Sequence, residues 1–289
     1  MSKVSVIGLG RMGRGIVRRL ASKGHEVSGF DVVKSVYSQL NDVKGFKQLN
    51  EVSDSIESDY ILLLLPSGDE LLKTLPQLKG TEAVVINMTT TGVQDARKAE
   101  GLSNDLGIKY ITAMIEGGPA NAEAGTLVFY VGGDGELYNK ASPLLSDLGQ
   151  HIYVGSNEAA TALKLISTMI LMANTVILAE VNASLQGLGL SKDNLVRALS
   201  MGGADSAQLR ARLPMMLSSA YKEVFSVDLG SYVAQEALAA IKSLGSTFTP
   251  VLSEVAEVLS AAKNIGLGKK DIAEVAEVYR MLSAHNSRT

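Results

Sequence analysis

Short runs of consecutive aliphatic residues alternate with amphipathic stretches through the first half of the chain. Runs near 3–8, 26–30, 60–65, 83–88 and 108–113 have the length and unbroken apolarity of strands buried on both faces. The intervening segments repeat their apolar positions with a helical period, as at Ile16, Val17 and Leu20. Such alternation predicts an α/β unit with a doubly wound, mostly parallel sheet, whose ligands bind beyond the carboxyl ends of the strands.

After about residue 155 the pattern changes. From Ala159 to Ala179 the only charge is Lys164, and no Gly or Pro intervenes. Ser156 or Asn157 can cap the front, Glu158 suits the positive end of a helix, and the apolar periodicity runs to about Leu185, just before Gly187. A helix of about 30 residues would be about 45 Å long. Asn157, Thr161, Lys164, Thr168 and Thr175 follow the helical period as one polar stripe. The expectation is a buried central helix presenting one ammonium from one face. Ser167, Thr168, Asn174 and Thr175 interrupt the apolar run and argue against a membrane span. A core lysine can also simply snorkel to solvent. Further helices are predicted near 191–201, 204–216, 227–244, 250–265 and 270–282, and the tail after about Ser283 is expected to be loose.

Composition narrows the classes. A chain of 289 residues can form one large or two ordinary domains, and its net charge of −3, without a basic block, argues against nucleic-acid binding. With no Cys, disulfides, thiolate catalysis and Cys-ligated zinc are excluded. That composition, with no signal-peptide pattern, fits a cytoplasmic protein. His25, His151 and His285 are scattered, so no metal site is expected.

The first predicted strand runs directly into Gly8-Leu9-Gly10-Arg11-Met12-Gly13 and then into a helix. In this setting Gly8 allows the tight turn, Gly10 admits a pyrophosphate to the backbone, and Gly13 lets helix and strand pack closely. The helix N-terminus adds free N–H groups and a favourable dipole. The second strand ends at Asp31, near the spacing at which a carboxylate accepts hydrogen bonds from the adenosine ribose and repels a 2′-phosphate. The expected cofactor is NAD in preference to NADP, with Lys34 close enough to blur the distinction. Pro66 and Thr89-Thr90 fall at carboxyl ends of later strands.

With Gly8–Gly13, Gly117-Gly118, Gly125-Thr126-Leu127 and Lys164 in view, the chain resembles the β-hydroxyacid dehydrogenases. This family includes 3-hydroxyisobutyrate dehydrogenase and, more distantly, 6-phosphogluconate dehydrogenase. The likeness extends through LLLLP, INMTT and GGPANAEAGTL to the C-terminal AKNIGLGKKDIAEV. It implies a Rossmann-type dinucleotide-binding domain over 1–155 and an all-α substrate and oligomerisation domain over 156–289, joined by the long helix. It also implies a homodimer or homotetramer, a small-molecule substrate, and hydride transfer between nicotinamide and an alcohol/carbonyl pair. Lys164 matches the family's catalytic lysine, and burial of such a group suits general acid/base work. Leu65, Pro66 and Thr90 should line the cofactor groove.

The substrate pocket departs from the pattern. Where the family usually has Ser before the double glycine, this chain has Glu116 before Gly117 and Gly118. The polar residue four after the lysine is Thr168 rather than Asn, and Tyr232 stands where the family carries a helper lysine. Two negative charges about 4 Å apart at an effective dielectric near 20 repel by roughly 4 kcal/mol, on the order of a thousandfold in affinity. A carboxylate substrate in the usual pose therefore requires Glu116 to turn away, protonate or pair with a cation, for which Arg210 and Arg212 are candidates. Alternatively Glu116 is a solvated loop carboxylate, or it binds a cationic group of the substrate. Two other functions remain open: an imine or amine oxidoreductase, and a cofactor-binding protein that no longer catalyses.

Overall fold

The computed structural model describes residues 1–286. These form two compact units, Met1–Lys164 and the chain from Leu165 onward. The division falls inside the long helix, nine residues beyond the 155/156 boundary that the family resemblance implies.

The first unit holds one eight-stranded sheet: β1 (Lys3–Ile7), β2 (Glu26–Phe30), β3 (Lys47–Gln48), β4 (Tyr60–Leu63), β5 (Val84–Asn87), β6 (Lys109–Glu116), β7 (Leu127–Gly133) and β8 (Gly149–Tyr153). Its helices are α1 (Arg11–Ser22), α2 (Gly68–Thr74), α3 (Val93–Asp105), α4 (Pro119–Ala124) and α5 (Gly135–Leu148). The strand order is β3-β2-β1-β4-β5-β6-β7-β8. Only the β6–β7 pairing is antiparallel among the described strands. This is the doubly wound Rossmann-type sheet expected from the alternating pattern.

Central strands are buried on both faces because alternate residues serve two cores. Leu62 and Ile86 pack with Ile16 and Leu20 on one face, while Ile61, Leu63 and Val85 pack with Leu71 and Leu75 on the other. β1 pairs with β2 on one side and β4 on the other, so the strand order reverses there, the switch point at whose carboxyl ends sheets of this kind bind ligands. β3, β7 and β8 are strands beyond those predicted. In β7, Leu127, Phe129 and Val131 are buried and the residues between them half-buried, a period-two pattern too short to stand out in the sequence.

The helix α6 (Asn157–Gly187) runs for 31 residues, as the sequence predicts, from the first unit into the second. It is not buried all round. Leu163, Ile170 and Ile177 are 37%, 56% and 51% exposed, whereas Asn157, Thr161, Thr168 and Thr175 of the polar stripe are buried. The stripe tolerates burial partly because Thr161 and Thr175 donate to the carbonyls of Asn157 and Leu171, at 3.0 and 2.9 Å. By length and composition α6 could cross a membrane, but half of its most apolar stretch is buried inside the protein.

The second unit continues with α7 (Lys192–Ser200), α8 (Ala207–Ser218), α9 (Val227–Ser243), α10 (Pro250–Ala262) and α11 (Val275–Asn286). The helix predicted over 270–282 begins instead as a 3₁₀ turn at Ile272–Glu274, because Asp271 caps it by accepting the Ala273 amide at 2.9 Å. α11 reaches Asn286, so the last part of the expected loose tail lies outside the described residues.

Candidate active site

The glycine turn after β1 has the shape its spacing implies. Gly8 has φ +99°, and a Cβ there would stand 2.1 Å from the Leu64 carbonyl oxygen, so only glycine lets this turn pass the end of β4. At Gly13 a Cβ would stand 2.0 Å from the Gly8 carbonyl oxygen, which fixes the close packing of α1 on the turn. Gly10 differs. It is the extended N-cap of α1 without a side-chain cap, and no atom of the described residues lies within 4 Å of its Cβ direction. Leu9 is fully buried, Met12 packs partly against the core, and Arg11 is exposed. The turn thus offers mainly backbone: uncapped amides at the positive end of a 12-residue helix, approachable at Gly10. These residues fit a dinucleotide pyrophosphate.

Asp31 is bound to the same turn. One carboxylate oxygen accepts the Leu9 amide at 2.7 Å and the other accepts the Val33 amide at 2.8 Å. Carboxylate oxygens carry further lone pairs, so ribose hydroxyls can still donate to them. Lys34 lies over the rings of Phe30 and Tyr37, with Nζ 5.3 and 5.7 Å from their centroids.

Beyond β4 and β5, Leu65 and Thr90 are half-buried and Pro66 is exposed. The neighbouring Thr89 does the fastening. Its hydroxyl accepts the Leu65 amide at 3.0 Å and donates to the Leu63 carbonyl at 3.3 Å, and its own amide donates to Asn87 Oδ1 at 2.9 Å. The family resemblance singles out Thr90 for contact and gives Thr89 only its place at the carboxyl end of a strand. The only available signal was a hydroxyl residue directly after a buried strand.

Glu116 ends β6, and Gly117, with φ +112°, turns the chain toward Gly118, whose amide donates to Asn121 Oδ1 at 3.0 Å. Lys164 Nζ lies 3.1 Å from Glu116 Oε2, with the two side chains 16% and 23% exposed. The other oxygen, Oε1, is buried and has no hydrogen-bond partner among the described residues. The start of α6, the helix that carries Lys164, is tied to α3. Arg97 of α3 grips Glu158 through two bonds of 2.8 and 2.6 Å, and Asn157 Nδ2 donates to Glu100 at 2.9 Å. The hydrogen bond from Arg97 holds the Glu158 carboxyl below its ordinary range.

The cation paired with Glu116 is therefore neither of the arginines considered from sequence. Arg210 binds Asp205 and Arg212 binds Asp271. Glu116 is also not the solvated loop carboxylate of the plainer expectation. Thr168, buried and four residues beyond Lys164 on α6, and Tyr232, exposed on α9, belong to the second unit.

Residues 3–155 match the family described as the NAD binding domain of 6-phosphogluconate dehydrogenase. Residues 159–279 match that described as the NAD-binding of NADP-dependent 3-hydroxyisobutyrate dehydrogenase. The 2-(hydroxymethyl)glutarate dehydrogenase of Eubacterium barkeri is 26% identical, over 97% of this chain and 96% of its own. A Mycobacterium tuberculosis 3-hydroxyisobutyrate dehydrogenase, solved with L-serine, superposes with a TM-score of 0.87 at 25% identity, covering 97% of this chain and 99% of that one. An imine reductase of Myxococcus stipitatus shares the fold at a TM-score of 0.61 and 19% identity, covering 96% of this chain and 98% of that one. A glycine turn shaped for a dinucleotide, ahead of a lysine-bearing long helix, thus meets matches that span nearly the whole chain, and the chain belongs to the β-hydroxyacid dehydrogenase family of nicotinamide-dependent oxidoreductases.

Proposed function

We propose that this protein transfers a hydride between NAD and a small, hydroxyacid-like alcohol/carbonyl pair, with Lys164 as the general acid/base. The observation that carries the reading is the largely buried Lys164 ammonium at the end of β6, beside the Gly117-Gly118 turn. When bound, the nicotinamide accepts a hydride from the carbinol carbon or returns it. In oxidation, Lys164 Nζ takes the hydroxyl proton as the carbonyl forms; in reduction it gives that proton back. A positioned acid/base of this kind contributes about 10²- to 10⁴-fold in rate.

Gly8 to Gly13 hold the pyrophosphate, Asp31 the adenosine ribose, and Leu65, Pro66 and Thr90 the nicotinamide end. The family resemblance assigns Glu116, Gly117, Gly118, Thr168 and Tyr232 to the substrate. The cofactor domain spans 1–155 and the helical domain 156–289. NAD is favoured because Asp31 would face a 2′-phosphate while Lys34 is engaged by two rings.

The protein works as a homodimer or homotetramer in the cytoplasm. Leu163, Ile170 and Ile177, exposed at seven-residue intervals on α6, supply an apolar stripe that a second copy could cover. The experiment is NAD reduction with a panel of 3-hydroxyacids, serine analogues and amines, alongside NADH binding by fluorescence. Turnover with a small alcohol is the expected result. Silence across the panel with NADH still bound would leave only a cofactor-binding protein.

A further inference from the structure

Glu116 and Lys164 form a pair with one open acceptor. Oε2 is taken by the Lys164 ammonium at 3.1 Å, while Oε1 is buried and accepts no hydrogen bond among the described residues. A buried carboxylate oxygen without a donor is costly, and the cost is relieved by whatever donor enters next to it. A substrate carboxylate cannot be that donor, and it would place a second negative charge against the first.

The proton transfer adds a second constraint. To accept a hydroxyl proton, Lys164 must be neutral, and in that state it no longer balances Glu116. A buried carboxylate that loses its counter-charge is strongly disfavoured. A cation carried by the substrate restores the balance at that moment, and a neutral hydroxyl does not. Charged hydrogen bonds are also shorter and stronger than neutral ones.

We propose that Glu116 is a specificity-determining residue that binds a substrate ammonium on Oε1, so that the preferred substrate is a small amino alcohol, or the matching amino carbonyl compound, rather than a simple hydroxyacid. The two oxygens of one carboxylate lie side by side. The amino group must therefore stand within one or two carbons of the carbinol carbon whose oxygen meets Lys164. Oxidation converts the alcohol to the carbonyl, its hydride going to NAD and its hydroxyl proton to Lys164, while the ammonium is unchanged. The inference rests on the oxidoreductase reading above and names its substrate class.

The test uses three alcohols of matched length: 3-amino-1-propanol, 1,3-propanediol and 3-hydroxypropanoate. The values of kcat/KM are compared within the unmodified protein, Glu116→Gln and Glu116→Ser, with NADH binding and thermal melting to confirm folding. In the unmodified protein the ammonium compound should exceed the diol by about ten- to a hundredfold, the scale of one charged hydrogen bond, and the carboxylate should rank last. That ratio of ammonium to diol should fall close to one in Glu116→Gln, and Glu116→Ser should move 3-hydroxypropanoate up the ranking. If Glu116 only steadied Lys164, all three substrates would decline together and the ratios would persist, which overturns the proposal. So would 3-hydroxypropanoate ranking first in the unmodified protein. Silence with every alcohol while NADH binds would overturn the oxidoreductase reading itself, and the inference with it.

Discussion

Arg212 and Asp271 in the helical unit, and Lys164 and Glu116 in the sheet unit, are both ion pairs largely removed from water, yet they are built differently. Arg212 and Asp271 are 8% and 0% exposed. Asp271 also accepts the amides of Val224, Phe225 and Ala273 at 2.9, 3.0 and 2.9 Å, while Arg212 Nε donates to Gln208 at 2.7 Å. Burial lowers the proton affinity of the Arg212 guanidinium and Asp271 opposes that shift. With both acid oxygens occupied, this pair is closed to ligands and ties together α8, the loop before α9 and the turn before α11. Lys164 and Glu116 are 16% and 23% exposed, and one acid oxygen is left without a donor among the described residues. A fully satisfied buried network specifies structure, whereas a half-satisfied one at a strand end is where a substrate can add the missing bond.

Substitutions can break this contrast in a graded way. Lys164→Ala should have the largest effect, reducing kcat by about 10²- to 10⁴-fold in steady-state assays while NADH affinity stays close to normal. Arg212→Met should act on stability instead. It leaves Asp271 buried without its cation, and urea unfolding should show a loss of about 3–5 kcal/mol. A smaller effect is expected from Asp31→Asn, which removes the charge that would face a 2′-phosphate; the ratio of kcat/KM for NADP over NAD should rise by about tenfold. Arg97→Ala should do least. Arg97 and Glu158 form a solvent-screened pair on the surface, so the thermal midpoint should stay within experimental error. If Arg97→Ala unfolded the protein as readily as Arg212→Met, burial and satisfaction would not be what separates these pairs.

Features encoded locally were legible in the sequence. The β1–Gly8–Gly13–α1 unit could be read because Gly8 and Gly13 answer contacts within the same short segment or with the adjoining strand end at Leu64, and Gly10 leaves the backbone between them uncovered. α6 could be read because its apolar periodicity runs to about Leu185 without a Gly or Pro, and the helix that forms is 31 residues long. Features set by distant partners could not. Glu116 stands out in the sequence as an acid out of place, but its partner Lys164 is far away in the chain, and nothing in the sequence ranks that lysine above Arg210 or Arg212 as the cation. β7 escaped because its alternation is short and its pairing with β6 is antiparallel, against the trend of the sheet. The exposure of Leu163, Ile170 and Ile177 departs from the buried central helix that the sequence leads one to expect, because hydropathy reports preference for burial, not which face a single chain covers.

The most direct test of Lys164 as the proton-transfer group is chemical rescue of Lys164→Ala by added primary amines. Methylamine should restore turnover by at least about tenfold over the unrescued variant, saturably, and the rate should follow amine basicity across a series, as a general acid/base requires. Turnover that ignores the amine, in a variant that folds and binds NADH, or a variant with near-normal turnover before any amine is added, would contradict the account.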